Sequence, residues 1–262
     1  MALIYLLPLP VPLGPHARPP FEEPHPPPPP TSHPSPPPYV RPESVPRVAF
    51  LIDDLGYDLA IDRAFLSIDA PLSFAFLPGA PHTQRLVREA RNKGRDILVH
   101  LPMEPLSPAA DSGPGALRTD MALEPLLRLL RQDIEAVPGA MGVNNHMGSR
   151  FTANRGAMEL VLAEVKRRGL FFVDSRTTSG TVAYETACSL GVPAIERSVF
   201  LDHDPRPEAV RRELNRLVRL AQERGQALAI GHPLSVTLRV LYEELPRLQK
   251  EVRVVPVHRL AS

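Results

Sequence analysis

Val48-Ala49-Phe50-Leu51-Ile52-Asp53-Asp54-Leu55-Gly56-Tyr57 begins with five apolar residues and breaks into two carboxylates and a glycine. Five consecutive apolar residues, several of them strand-favouring, suit a strand buried on both faces, the usual condition in a parallel sheet. The same unit recurs. Apolar runs predict strands at Leu72–Leu77, Asp96–His100, Ala140–Asn144, Leu170–Val173, Val192–Glu196, Ala227–Ile230 and Val252–Val257. Between most of them apolar residues recur at spacings of three and four, predicting helices at Leu123–Val137, Ala157–Arg168, Pro207–Arg224 and Ser235–Leu248. Gly94, Gly169 and Gly225 each follow a basic helical end and precede a strand, as helix C-caps do. Repeated strand–helix–strand order argues for a closed or nearly closed β/α barrel, with an open doubly wound sheet as the alternative. No Gly-x-Gly-x-x-Gly or P-loop pattern opens a helix, so no nucleotide cofactor is implied.

The chain divides unevenly. Of its 33 prolines, 18 fall within residues 1–46. Residues 1–14 are apolar but broken by prolines, and they read either as the remnant of a signal or anchor or as a disordered leader. Residues 15–46 are proline-rich, unbroken from Pro26 to Pro30, and read as a disordered, polyproline-type spacer behind a tethered N-terminus. Residues 47–262 then form the folded domain. Net charge is +1, with no basic tail or patch, so nucleic acid is not the expected partner. Membrane contact is expected only through the leader. The lone Cys188, within a helix-like stretch, is expected to be a buried packing residue.

The apolar runs end in polar residues. Asp53-Asp54 follows the first, His100 and then Glu104 the third, and Asn144-Asn145-His146-Met147-Gly148-Ser149-Arg150 the fourth. Asp174-Ser175-Arg176-Thr177 follows Phe171–Val173, Asp202-His203-Asp204 follows Val199–Leu201, and Gly231-His232-Pro233 follows Leu228–Ile230. Loops after parallel strands meet at one face, so these residues should converge. Taken singly, each has a structural explanation: Asp53-Asp54 as a turn, His100 as a core histidine, Asp174 and Ser175 as caps of the next helix. Taken together, two histidines and a carboxylate from separate strand ends can hold a metal with a position open for water. A second carboxylate can act as base and a further histidine as acid.

These residues resemble a family. Ile52-Asp53-Asp54-Leu55-Gly56, His100-Leu101-Pro102-Met103-Glu104-Pro105, Asn144 to Thr152, Phe172 to Thr178 and Ile230-Gly231-His232-Pro233 are similar, in order, to the divergent polysaccharide deacetylases. The resemblance implies a distorted, NodB-like β/α barrel of about seven strands, related to carbohydrate esterase family four. It implies a hydrolase that removes N-acetyl or O-acetyl groups from an envelope glycan, periplasmic or exported, with the cytoplasm as the alternative. It assigns Asp53 as base, Asp54 as metal ligand and His232 as acid. The wider superfamily uses two metal histidines four residues apart; here Glu104 holds that spacing from His100. His146 is therefore expected as the second histidine, with Glu104 as a fourth or neighbouring group. Asp174 is expected to orient His232. Asn145, Ser149, Arg150, Ser175 and Arg176 are expected to bind substrate, Arg150 or Arg176 standing in for the family's arginine. The metal is expected to be divalent, zinc first. The competing readings are a degenerate glycan-binding or scaffold protein that engages cell-wall machinery, and a metal-dependent hydrolase of another ester or phosphoester.

Overall fold

In a computed structural model, which describes residues 45–261, strands and helices alternate along the chain. In order they are β1 (Arg47–Leu55), α1 (Leu59–Leu66), β2 (Ser73–Phe76), α2 (Thr83–Asn92), β3 (Asp96–Met103), α3 (Leu123–Glu135), β4 (Gly142–Met147) and α4 (Arg155–Arg167). There follow β5 (Phe171–Asp174), α5 (Ala183–Leu190), β6 (Ala194–Glu196), β7 (Val199–Phe200), α6 (Pro207–Arg224), β8 (Gln226–Gly231), α7 (Ser235–Glu251) and β9 (Arg253–Val254). A 3-10 turn, Val257–Arg259, closes the domain. The apolar leader and most of the proline-rich segment lie outside the described residues.

Every strand pair is parallel, and the sheet runs β6-β5-β4-β3-β2-β1-β8-β7, with β9 added against β1. Strands β6 and β7 are neighbours in sequence yet do not pair, so the sheet is a curled half-barrel with a seam between them. This is the NodB-like α/β fold expected from the resemblance, a distorted barrel that stops short of closure, and it sets aside the doubly wound alternative. The predicted strand Val252–Val257 shortens to two residues before turning into the 3-10 segment. Strand β7, within the apolar run Val199–Leu201, is only two residues long.

The side chains separate into two cores by strand parity. Val48, Phe50 and Ile52 face outward into the helix layer. Ala49 and Leu51 face the barrel interior with Leu98, Val173, Leu228 and Ile230. Val257 and Leu260 of the C-terminal turn join this inner core, plugging the barrel at the strands' N-terminal end. His258 fastens the plug: its Nδ1 lies 2.9 Å from Asp96 Oδ1 at the start of β3. A side chain on Gly142 would strike the Phe171 ring at 2.6 Å, so a residue without a Cβ lets that ring fill the interior.

Cys188 is exposed, contrary to expectation. Helix α5 buries Ala183, Thr186 and Ala187, which places Cys188 one position past the inward stripe.

Candidate metal centre and acid–base groups

Interior parity carries the chemistry to the mouth of the barrel. Ala49 and Leu51 are followed by Asp53, Leu98 by His100, Asn144 by His146, and Leu228 and Ile230 by His232. Asp54 should by this rule point outward. Instead its backbone is left-handed, φ 57°, and the β1–β2 register breaks between Ile52 and Leu55. The break turns both carboxylates toward the mouth. Gly56, φ 128°, completes the turn where a Cβ would meet Thr83 Oγ1 at 2.5 Å, and its N–H donates to buried Asp62 Oδ2 at 2.9 Å. Among the described residues the positive-φ non-glycines are Asp54, Met147 and Arg176, all at strand ends around this mouth.

Asp54, His100 and His146 converge, with one ligand atom from each lying within 4.8 Å of the others. Asp54 Oδ1 is 3.1 Å from His100 Nε2 and 3.0 Å from His146 Nδ1, and those two nitrogens are 3.1 Å apart. Despite these distances, Asp54 Oδ1 is buried without a properly directed hydrogen bond. Three lone-pair atoms facing one point fit a shared cation, and the nitrogen–nitrogen–oxygen set suits zinc. Electrostatics agree. Burial opposes charge on His100, but Asp53 and Asp54 outweigh it and raise its pKa to about 9. Burial likewise opposes charge on Asp54, but His146 and His100 hold its carboxyl well below the usual range. The cluster thus favours a positive charge at its centre, which a divalent ion supplies without protonating a ligand.

Asn144, opposite His100 in the β3–β4 register, ties the base to this cluster. Its Nδ2 donates to both oxygens of Asp53, at 3.0 and 2.9 Å, and to Ser175 Oγ at 3.2 Å. With the amide so oriented, its Oδ1 accepts from His100 Nδ1–H at 3.0 Å, leaving the Nε2 lone pair for a metal. Asp53 is fully buried, where a carboxylate without donors would cost several kcal/mol.

His232 faces the cluster from the other side, its Nε2 4.0 Å from Asp54 Oδ2. The carboxylate behind it is Asp202. Asp202 Oδ1 lies 2.9 Å from His232 Nδ1, and Oδ2 accepts the His232 N–H at 2.7 Å and Thr237 Oγ1–H at 2.6 Å. Asp174, expected in that role, points the other way. It follows the interior residue Val173, so parity aims it at the helix layer. There it accepts from Arg176 N at 2.8 Å, Thr181 Oγ1 at 2.9 Å and Tyr184 N at 3.3 Å, capping the start of α5. Burial raises its pKa despite these donors.

Glu104 is not in the cluster. Residues Asp96–Met103 form a continuous strand, so a spacing of four spans about 13 Å. Glu104 Oε2 instead accepts from Thr119 N and Oγ1 at 2.8 and 2.7 Å. His146 reaches the cluster from the adjacent strand, opposite Pro102. The expected substrate contacts are largely engaged in shaping loops. Asn145 Nδ2 donates to Met147 O at 2.8 Å and its Oδ1 accepts Ser175 N–H at 2.9 Å. Ser149 Oγ accepts Leu106 N–H at 2.8 Å, and Arg176 pairs with Glu196. Arg150 is half exposed beside Glu104, and the group that holds Asp53 is Asn144.

The divergent polysaccharide deacetylase family matches residues 50–261. The protein YibQ of Escherichia coli K12 is 36% identical over 216 residues, 82% of this chain and 67% of that protein. The crystal structure of protein ATU2773 from Agrobacterium tumefaciens C58 superposes with a TM-score of 0.79 at 25% identity, covering 84% of this chain and 92% of that one. A wild-type CE4 family pseudoenzyme from Bacillus anthracis shares the fold at a TM-score of 0.52 and 12% identity, covering 83% of this chain and 66% of that one.

Proposed function

The chain belongs to the divergent polysaccharide deacetylase family, and from that premise we propose that it is a metal-dependent hydrolase removing N-acetyl groups from an envelope glycan. One observation carries the reading. Asp54, His100 and His146 converge on a point, with an amide-held carboxylate, Asp53, and a carboxylate-backed histidine, His232, beside it. Because a pseudoenzyme shares the fold, the fold alone does not support activity; the donor set does.

A divalent ion held by Asp54, His100 and His146, zinc first, supplies Lewis-acid polarisation of the acetyl carbonyl and a more acidic water. Asp53 accepts the proton of the water that attacks the carbonyl carbon. Asn144 keeps both Asp53 oxygens in place for that transfer. As the carbon–nitrogen bond breaks, His232 gives its Nε2 proton to the departing nitrogen, and Asp202 orients the ring and steadies its charge. The products are acetate and a free amine. The same groups would serve an O-acetyl ester, with an alcohol leaving.

Metal analysis of the purified protein, coupled to acetate release from acetylated chito-oligosaccharide and peptidoglycan fragments, tests this. A metal-replete protein that releases no acetate from either would sink it.

We further propose export, on the N-terminal composition alone. A proline-rich spacer behind an apolar leader accords with export and tethering at the envelope. No described helix is long and apolar enough to cross a membrane. Fractionation of cells carrying the full chain checks this; recovery wholly in the cytosol would refute it.

A further inference from the structure

Between Glu104 and Leu117 the chain leaves the barrel and returns. Glu104 N donates to Leu117 O at 2.8 Å and Leu117 N to Pro102 O at 2.9 Å, closing the neck of this excursion. Leu106 N–H on Ser149 Oγ, 2.8 Å, pins its near side. The excursion walls a groove whose charged lining is Glu104, Asp111, Arg118, Asp120 and Arg150. Ser112 and Gly113 belong both to this groove and to a smaller hollow that reaches Tyr57 and His146. The groove and the hollow beside the metal cluster thus adjoin at Ser112 and Gly113, which sets the groove next to any molecule held at the cluster.

The groove is built unlike a platform for sugar rings. None of its lining residues is aromatic. Its apolar wall is Pro105, Leu106, Pro108 and Ala110, suited to short aliphatic groups. Glu104 Oε1 lies between two guanidiniums, 3.7 Å from Arg118 Nη2 and 3.6 Å from Arg150 Nε. Arg118 turns Nε and Nη2 to Asp120, and Arg150 turns Nη2 to Leu106 O. Nη1 of each arginine makes no hydrogen bond among the described residues, and both side chains are half exposed. Two positioned guanidiniums with donors to spare recognise a carboxylate. Three carboxylates in the same lining would receive an ammonium.

We propose that this groove binds a peptidic, carboxylate-bearing substituent of the acetylated sugar, so that the substrate is a glycopeptide rather than a bare glycan. This rests on reading the metal cluster as the deacetylation site. Arg118 and Arg150 take the carboxylate, the aliphatic wall takes small side chains, and Asp111 and Asp120 face any free amine.

The test is calorimetry on the zinc-loaded full chain with three probes. They are a disaccharide–tetrapeptide fragment of peptidoglycan, the same disaccharide without peptide, and the free tetrapeptide; acetate release is measured alongside. The glycopeptide should bind at least about tenfold tighter than the bare disaccharide, the scale of a charge-assisted hydrogen-bonded pair. The Arg118→Gln/Arg150→Gln double variant should lose that advantage, and the double lysine variant should keep part of it. Ala110→Trp, which fills the groove from the loop, should abolish the advantage without altering either arginine. Equal binding of the two saccharide probes by the wild type, or an advantage that survives both variants, overturns the proposal. Absence of acetate release from every probe refutes the deacetylase reading instead, while the binding preference still reports on the groove.

Discussion

Asn144 and Asp53 are joined by one amide nitrogen that donates to both carboxylate oxygens, while the same amide's carbonyl takes the His100 Nδ1 proton. A single side chain thus fixes the proposed base and the tautomer of a metal ligand. Asn144→Ala should weaken metal binding and slow acetate release together, and should lower stability by about 1–3 kcal/mol through the unpaired buried groups. Asn144→Asp should be worse on both counts, because it sets a carboxylate against Asp53. Chelator competition, acetate release and denaturant melts read the three effects; a variant with normal metal affinity and normal rate would remove Asn144 from the site.

Asp53 and Asp54 are adjacent yet differ in task. Asp53→Asn keeps an acceptor for the Asn144 amide, so fold and metal content should hold while hydrolysis falls by about a hundredfold or more, the scale of general-base catalysis. Asp54→Asn should lower metal affinity, with excess zinc partly restoring the rate. Equal activity of Asp53→Asn and wild type would remove the base assignment.

Asp202 and Asp174 are both buried strand-end acids with separate effects. Asp202→Asn should leave metal content intact and cut acetate release about 10–100-fold, as loss of an orienting partner does. Asp174→Ala should act mainly on stability, by about 1 kcal/mol or somewhat more for a lost buried cap. Reversal of this pattern, measured by rate and melting temperature, would restore Asp174 to the catalytic side.

Asp133, on α3, is buried with Oδ2 unpartnered, and burial raises its pKa from 3.8 to about 7. In the folded state it keeps its proton where the unfolded chain has lost it, so stability declines as pH rises from about 4 to about 7 and then levels. Asp133→Asn should therefore stabilise the protein at pH 8 by up to a few kcal/mol, with the gain shrinking toward pH 5. Melting curves at the two pH values decide it; an equal effect at both would mean that Asp133 is charged throughout.

Much of the site was legible because polar residues that end apolar runs must surface where parallel strands terminate. Asp54, His100, His146 and His232 come together on that logic. Asn144 was also within reach: alternation along β4 puts it on the face of His146 and puts Asn145 on the other. The choice between Asp174 and Asp202 was not, because it depends on strand order. β8 lies between β1 and β7, so Asp202, two residues past β7, adjoins His232, whereas β5 stands on the far arm of the sheet. The spacing of Glu104 from His100 misled because it is meaningful in a helix, and these residues form an extended strand.

The C-terminal plug has a consequence for biosynthesis. The first strand of the domain pairs with β8 and β9, and Val257 and Leu260 seal the interior that this strand helps to line. The earliest part of the domain to leave the ribosome must therefore wait, unpaired on that side, for nearly the last. The nascent chain stays exposed to chaperones and proteases through most of its synthesis. A bulky fusion placed directly after Ala261 would jam the closing step at the end of the barrel opposite the site.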